Sequence, residues 1–163
     1  MQDRTTPGPT LDAIDRKILR LLQQDSLIAN QKLADEVGLS PPACLKRVRR
    51  LRAAGVIRAT VALLDPEALG HPVLTVVRVK LERPRDKAMR DFERRMAESP
   101  RVAFCLTVAG DIDYVLLVRS RDVADYQDFA RQMLATAPGI RSYTSEIVLE
   151  VPKWTTAIPV PDA

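Results

Sequence analysis

Cysteine is nearly absent. Cys44 and Cys105 stand far apart, with no Cys-x-x-Cys spacing and no histidine beside either. That pattern excludes a disulfide framework and a thiolate metal site, and fits small apolar residues in a reducing cytosol. A cytoplasmic location with no cofactor and no metal is the expectation. Histidine occurs once, as His71 beside Pro72 in a turn-rich stretch, where solvation is its ordinary state. Without a nucleophile–base pair at readable spacing, and without a phosphate-cradling glycine loop, the chain is not expected to be an enzyme. Aromatic residues make up only 4%. None lies in the strand-like run VLTVVRVKL, which argues against an RNA-binding sheet that stacks bases on its central strands. No apolar run approaches the roughly 18 residues that span a bilayer. The opening MQDRTTPGPT lacks the apolar core of a secretory signal.

One further absence is local. No Asp or Glu occurs between Glu36 and Asp65, yet Lys46, Arg47, Arg49, Arg50 and Arg52 crowd into seven residues of that gap. Through Leu64 eleven Lys and Arg face six Asp and Glu; from Asp65 onward fourteen face fifteen. The net charge of +4 therefore belongs to the N-terminal third. Such a region is the electrostatic footprint of a polyanion partner. A cation run alone is usually a solvated helix face, so its neighbours decide its meaning.

The 163 residues suit one ordinary domain or two small ones, and 46% hydrophobic with 28% charged residues is a globular composition. Residues 1–10, with Pro7, Gly8 and Pro9, read as a flexible tail. In LDAIDRKILRLLQQDS, Ile14, Ile18, Leu21 and Leu22 share one helical face, and Asp12 can cap its start. In NQKLADEVG, Leu33, Ala34 and Val37 share a face, Asn30 is a suitable N-cap, and Gly38 stands where a left-handed residue ends a helix. After the turn GLS, Ser40 can cap a third helix whose first turn accepts Pro41. On a wheel centred on Val48, residues Pro41, Cys44, Leu45, Leu51 and Gly55 lie within about 60°. Ala43, Lys46, Arg50 and Ala53 lie opposite, flanked by Arg47 and Arg49. Arg52 falls on the apolar side, where it snorkels or bonds the last carbonyls. VIRATVALL then reads as a short strand or wing, and residues 65–72 as a linker.

The remainder alternates strand, helix, strand, strand, helix, strand. VLTVVRVKL is a strand with Val73, Val77, Val79 and Leu81 on one face. RDKAMRDFERRMAES is an amphipathic helix with Ala88, Met89, Phe92 and Met96 inward. RVAFCLTVAG and YVLLV are strands joined by the tight turn GDID. DVADYQDFARQMLAT is a helix striped by Tyr126, Phe129 and Met133, and GIRSYTSEIVLEV is the last strand. This βαββαβ order is a ferredoxin-like unit. The expected fold class is α+β: a winged helix-turn-helix domain over 11–64, a ferredoxin-like domain over 73–154, and a C-terminal tail over 155–163. On the strand before GDID, Val102, Phe104, Leu106 and Val108 alternate with Ala103, Cys105 and Ala109, so both faces are apolar. Helices can cover one face only, and a sheet-to-sheet homodimer is the expected minimum unit.

Two helices joined by a three-residue turn containing glycine form a helix-turn-helix, whose second helix enters the major groove. The basic run lies on that second helix. The expected partner is double-stranded DNA. Lys46 and Arg47 have the reach for guanine edges and Arg49 and Arg50 for phosphates, with Ser40, Pro42 and Ala43 at the helix start beside the backbone. A membrane-surface role is excluded, because the apolar face of this helix is needed for the three-helix core.

LDAIDRKILRLLQQD, LADEVGLSPPACLKRVRRLRAAGVI and LLDPEALG, followed by VAGDIDYVLLV, APGI and the TS before the final strand, resemble the Lrp/AsnC (feast/famine) family of prokaryotic transcription regulators. The resemblance covers nearly the whole chain. It implies operator binding through the N-terminal domain, dimers and often octamers assembled through the ferredoxin-like domain, and amino-acid sensing between dimers. It also gives the turn a second meaning. GDID is ordinary turn chemistry, since Asp bonds its own backbone there. By resemblance, Gly110, Asp111, Asp113 and Tyr114 border an effector pocket, with Asp111 and Asp113 facing the ammonium and Thr144 and Ser145 contributed by a neighbouring subunit. One departure is Leu27, which stands where many relatives carry Arg, so a phosphate contact is lost there. The alternative reading is an architectural DNA-binding protein whose second domain only oligomerises.

Overall fold

A computed structural model describes residues 10–82 and 86–161. The chain divides into two compact units. One is built by the described residues of Met1–Ala62 and Trp154–Ala163, the other by those of Leu63–Lys153.

The first unit holds α1 (Ala13–Gln24), α2 (Asn30–Val37) and α3 (Pro41–Ala53). Its core is Ile18, Leu33, Ala34, Val37, Cys44, Val48 and Leu51, which matches the helical periodicity of all three segments. Asp12 caps α1 as expected: the Asp15 N–H donates to its carboxylate at 2.8 Å, and the Asp12 N–H donates back to the Asp15 carboxylate at 3.2 Å. Gly38 adopts φ +70 and closes α2, a conformation that costs glycine little. Asn30 departs from expectation. Ala29 holds the N-cap position, and the Asn30 amide instead donates to the Pro41 carbonyl at 2.9 Å, tying α2 to the start of α3. Leu45, placed by the wheel at the edge of the apolar face, is 38% exposed, because the three-helix core is narrower than the apolar arc.

The wing does not form a strand among the described residues. The Val56 and Ile57 N–H groups donate to the Leu51 carbonyl at 3.0 and 3.2 Å and close α3. Val61, Leu63 and Leu64 are exposed. A strand needs a ladder partner, and turn residues 66–70 supply none. Residues 155–161, read from the sequence as part of a C-terminal tail, run along α1. Gln23 exchanges two hydrogen bonds with the Ile158 backbone at 3.1 and 2.8 Å. Arg16 and Arg20 donate to the carbonyls of Pro161 and Val160.

The second unit contains β1 (Val73–Leu81), α4 (Asp86–Glu98), β2 (Val102–Thr107), β3 (Tyr114–Ser120), α5 (Val123–Ala130) with a following π-helical turn (Arg131–Ala135), and β4 (Ile140–Ile147). The sheet order is β2-β3-β1-β4, with every neighbouring pair antiparallel. This is the ferredoxin-like arrangement expected from the alternation of elements. Val77, Val79 and Leu81 of β1 and Tyr114, Leu116 and Val118 of β3 pack under Phe92, Met96, Tyr126, Phe129 and Leu134 from the helical layer.

β2 corrects one expectation. Val102 pairs with Val118, but Phe104 pairs with Leu117, so a bulge lies between them. One extra residue reverses the alternation. Val102 and Cys105 therefore pack on the helix-covered core, while Phe104 and Leu106 stand 44% and 47% exposed on the open face. The pairing places Val115 and Leu117 of β3 beside them.

Candidate nucleic-acid interface and the Gly110–Tyr114 hairpin

α3 is presented by the turn Gly38-Leu39-Ser40. Ser40 holds the N-cap position without a side-chain cap bond, and Pro41 occupies the first helical position. Pro41 and Pro42 have no N–H, and the Cys44 N–H already donates to the Ser40 carbonyl at 3.0 Å. The donors left at this helix start are therefore fewer than a generic N-terminus offers: the Ala43 N–H beside the exposed Ser40 hydroxyl. Pro42 is exposed and Ala43 half-buried.

The five cations of α3 do not behave alike. The acid-free stretch predicts that Lys46, Arg47, Arg49 and Arg50 stay unneutralised; the fold corrects this by bringing acids from α1. Arg47 donates to Asp12 at 2.5 Å and to Asp15 at 3.0 Å. Arg50 also pairs with Asp15. Asp15 is fully buried. The Asp15 N–H, and after it Arg47, hold the Asp12 carboxyl below the usual value, and the two carboxylates keep Arg47 firmly cationic. Lys46, Arg49 and Arg52 are exposed. Among the described residues none of these three makes an ion pair or a side-chain hydrogen bond. Thus the seven predicted positions divide. Ser40, Pro42, Ala43, Lys46 and Arg49 are open or partly open, while Arg47 and Arg50 bridge α3 to α1. Leu27 is 89% exposed in the α1–α2 connection. Sequence reading assigned Asp12 to capping and missed Asp15; the signal was Asp-x-x-Asp at a helix start, with the second carboxylate on the apolar side of α1.

The hairpin residues also divide. Gly110 has φ +142, which disfavours any side chain there, and Asp111 is exposed, with its carbonyl accepting from Lys80 Nζ. The Asp113 N–H donates to the Val79 carbonyl at 2.9 Å, and its carboxylate accepts the Leu81 N–H at 2.7 Å. That N–H lies where the β1–β4 register shifts at Lys80/Leu81, so Asp113 satisfies a donor that the bulge releases. Tyr114 is a correction: it is a core residue with no exposed surface. Its hydroxyl donates to Glu93 at 2.9 Å, and its ring lies 4.7 Å from that of Phe92. Burial and Glu93 push its ionisation well upward. On β4, Thr144 pairs with Arg78 and Ser145 with Val77, so the two side chains leave opposite faces of the sheet. Ser145 shares a hydrogen bond with the Tyr126 hydroxyl on the helical side. A single chain does not bring the six together: β1 lies between β3 and β4, so Thr144 and Ser145 stand two strand spacings, or ~10 Å, from the strand that carries the hairpin, on opposite faces of the sheet. A groove of about 330 Å³ against β4, lined by Leu134, Ala135, Ile140, Arg141, Ser142 and Tyr143, contains none of them.

His71 is exposed, with Nδ1 2.9 Å from the Leu69 carbonyl. Burial pushes the Cys105 thiol up to about 11 and also raises that of Cys44, so both are held protonated. Among the described residues no group of three His, Cys, Asp or Glu is placed to hold a metal ion, and no helix is long and apolar enough to cross a membrane.

Comparison with known proteins joins the two units. Residues 11–58 match the winged helix-turn-helix DNA-binding family, and residues 74–158 match the Lrp/AsnC ligand binding domain. The leucine-responsive regulatory protein of Haemophilus influenzae is 39% identical over 89% of this chain and 87% of its own length. The DNA-binding transcriptional activator DecR of Escherichia coli is 36% identical over 92% of this chain and 99% of its own. A transcriptional regulator of Neisseria meningitidis, solved as an L-Met complex, superposes with a TM-score of 0.87 at 34% identity, covering 92% of this chain and 97% of its own.

Proposed function

The chain belongs to the Lrp/AsnC family of transcriptional regulators, and from that premise we propose how it reads DNA and what modulates it. α3 enters the major groove. Lys46 and Arg49 supply the free charge, and Ser40, Pro42 and Ala43 bring the helix start against the DNA backbone. The observation that carries this reading is the pair Lys46 and Arg49: both exposed, both without an ion pair or side-chain hydrogen bond among the described residues, both on the second helix of a helix-turn-helix. The protein acts by binding rather than by turnover, in the cytoplasm where its DNA is.

The effector is an amino acid. The L-Met complex of the Neisseria relative supports this class and disfavours a purely architectural role. Gly110, Asp111 and the remaining oxygen of Asp113 face the ligand, and Thr144 comes to it from a second subunit, while Ser145 stays bonded to Tyr126 on the helical side of its own sheet. The minimum unit is a homodimer that covers the open sheet face at Phe104, Leu106, Val115 and Leu117. Higher rings such as octamers place the hairpins between dimers. A ligand that completes an inter-subunit pocket biases whichever assembly contains it.

The test is a thermal-shift screen of the purified protein against the twenty amino acids, followed by operator titration with and without the binder. A binder at 100 times its Kd adds about 2.7 kcal/mol to stability. The titration is expected to shift with the effector, and Asp111→Ala to remove that shift. If no amino acid moves either measurement, the effector reading is wrong. Light scattering that finds a monomer at micromolar concentration would overturn the dimer.

A further inference from the structure

Asp15 is an expensive residue to place where it lies. A fully buried carboxylate loses its hydration, and an apolar residue of similar volume would join α1 to α3 at lower cost. Every contact its carboxylate makes is to a donor. One oxygen takes Arg47 at 3.0 Å; the other takes Arg50 and the Asp12 N–H, the latter at 3.2 Å. Arg47 and Arg50 stand one turn apart on α3, and with Asp12 the four charges cancel. Of the five cations on α3, only Lys46, Arg49 and Arg52 then contribute net charge to the surface. The arginines are not sealed in: their side chains remain 27% and 56% exposed, so a phosphate can compete for them.

We infer that Asp15 is a positioning residue for DNA recognition: it withdraws Arg47 and Arg50 from phosphate binding and uses them to fix α3 against α1. Two consequences follow. The free cations are confined to one side of the helix, so indiscriminate phosphate binding is held down. The bidentate bridge also resists rotation of α3, which keeps the base-reading side chains in register. Loss of the Asp15 charge would release two guanidinium groups toward any duplex, raising non-specific affinity while loosening the helix that discriminates. The inference rests on the reading that α3 faces DNA.

The experiment measures binding of the full chain to a mixed-sequence duplex as a function of salt. Each phosphate contact contributes about 0.9 to the slope of log K against log salt. Arg49→Gln is expected to make that slope shallower by about one unit, whereas Arg47→Gln and Arg50→Gln each change it by less than roughly half a unit. Asp15→Asn is expected to steepen it by about one to two units, and adding Arg47→Gln with Arg50→Gln is expected to reverse that gain. Glu98→Gln, an exposed change of equal charge on α4, leaves the slope unaltered. If Arg50→Gln or Arg47→Gln flattens the slope as much as Arg49→Gln, or if folded Asp15→Asn keeps the original slope, the inference is overturned. If Arg49→Gln has no effect, the placement of α3 on DNA fails instead. Where Asp15→Asn does not fold, the arginine comparison decides the matter on its own.

Discussion

Asp12-x-x-Asp15 opens α1, and Asp122-x-x-Asp125 opens α5. The capping bond is the same, although only α1 adds the reciprocal bond from the N-cap N–H. In each, the first aspartate sits at the N-cap and accepts the N–H of the second, at 2.8 and 2.7 Å. In each, the second aspartate is buried and gripped by two arginines. The arginines come from different places. Asp125 takes Arg121, four residues before it, at 3.1 Å, and Arg101, just before β2, at 2.9 Å; both belong to its own sheet unit. Asp15 takes both of its arginines from α3, the helix with the exposed basic face. The motif specifies a helix start in either case. What lies across from it decides whether the carboxylate only staples a fold or also edits a binding surface.

The largest expected effect separates the two carboxylates directly. Asp15→Ala is expected to destabilise the helical unit by about 3 kcal/mol, the low end for breaking a buried pair because both arginines can turn to water. It should also degrade discrimination between operator and mixed-sequence DNA. Asp125→Ala is expected to lower the melting temperature of the sheet unit yet leave DNA affinity within about two-fold, as for a site that shares no partner with α3. Urea unfolding and duplex titration of both variants measure this. Equal losses of DNA affinity would erase the distinction.

Acid tests the shared half of the comparison. Asp12 and Asp125 both have pKa values lowered from 3.8, first by a backbone N–H and then by arginine. A lowered folded value means that the stabilisation is present above the unfolded pKa and is lost as pH falls through the folded one. Both units should therefore weaken as pH falls from about 5 through the lowered folded values, and Asp12→Asn or Asp125→Asn should flatten that loss. A variant with the full acid dependence of the wild type would show that its carboxylate is not the group responsible.

The hairpin aspartates offer a smaller contrast of the same kind. Asp113→Ala leaves the Leu81 N–H unsatisfied and is expected to cost about 1–2 kcal/mol, whereas Asp111→Ala, on an exposed side chain, is expected to stay within about 0.5 kcal/mol. Both should abolish an amino-acid response. If Asp113→Ala proves neutral to folding, its hydrogen bond to Leu81 is dispensable. Of similar size is Asn30→Ala, expected to cost about 1 kcal/mol through the lost bond to the Pro41 carbonyl. A neutral result in thermal melts would show that α2 and α3 are held by their apolar contacts alone.

Much of this was legible in the residues. Periodicity located the helices and strands, because the same side chains that alternate along the chain are the ones that must leave water. The Asp12 cap and the left-handed Gly38 were readable too, since both depend on backbone needs within a few residues. The family-like signatures named the kind of protein and its polyanion partner. Four other features required the fold. The bulge that turns Phe104 outward depends on pairing with β3. Tyr114 becomes core only when Glu93 and Phe92 arrive from α4. The wing forms no strand because, among the described residues, none builds a ladder with residues 56–64. And the acid-free gap from Glu36 to Asp65, which by itself implied free cations at Lys46, Arg47, Arg49 and Arg50, was filled across space by Asp12 and Asp15. Local sequence determines what a segment needs at its ends and along its faces; which charges meet is a matter of distance between segments more than thirty residues apart, and only packing α1 against α3 could set it.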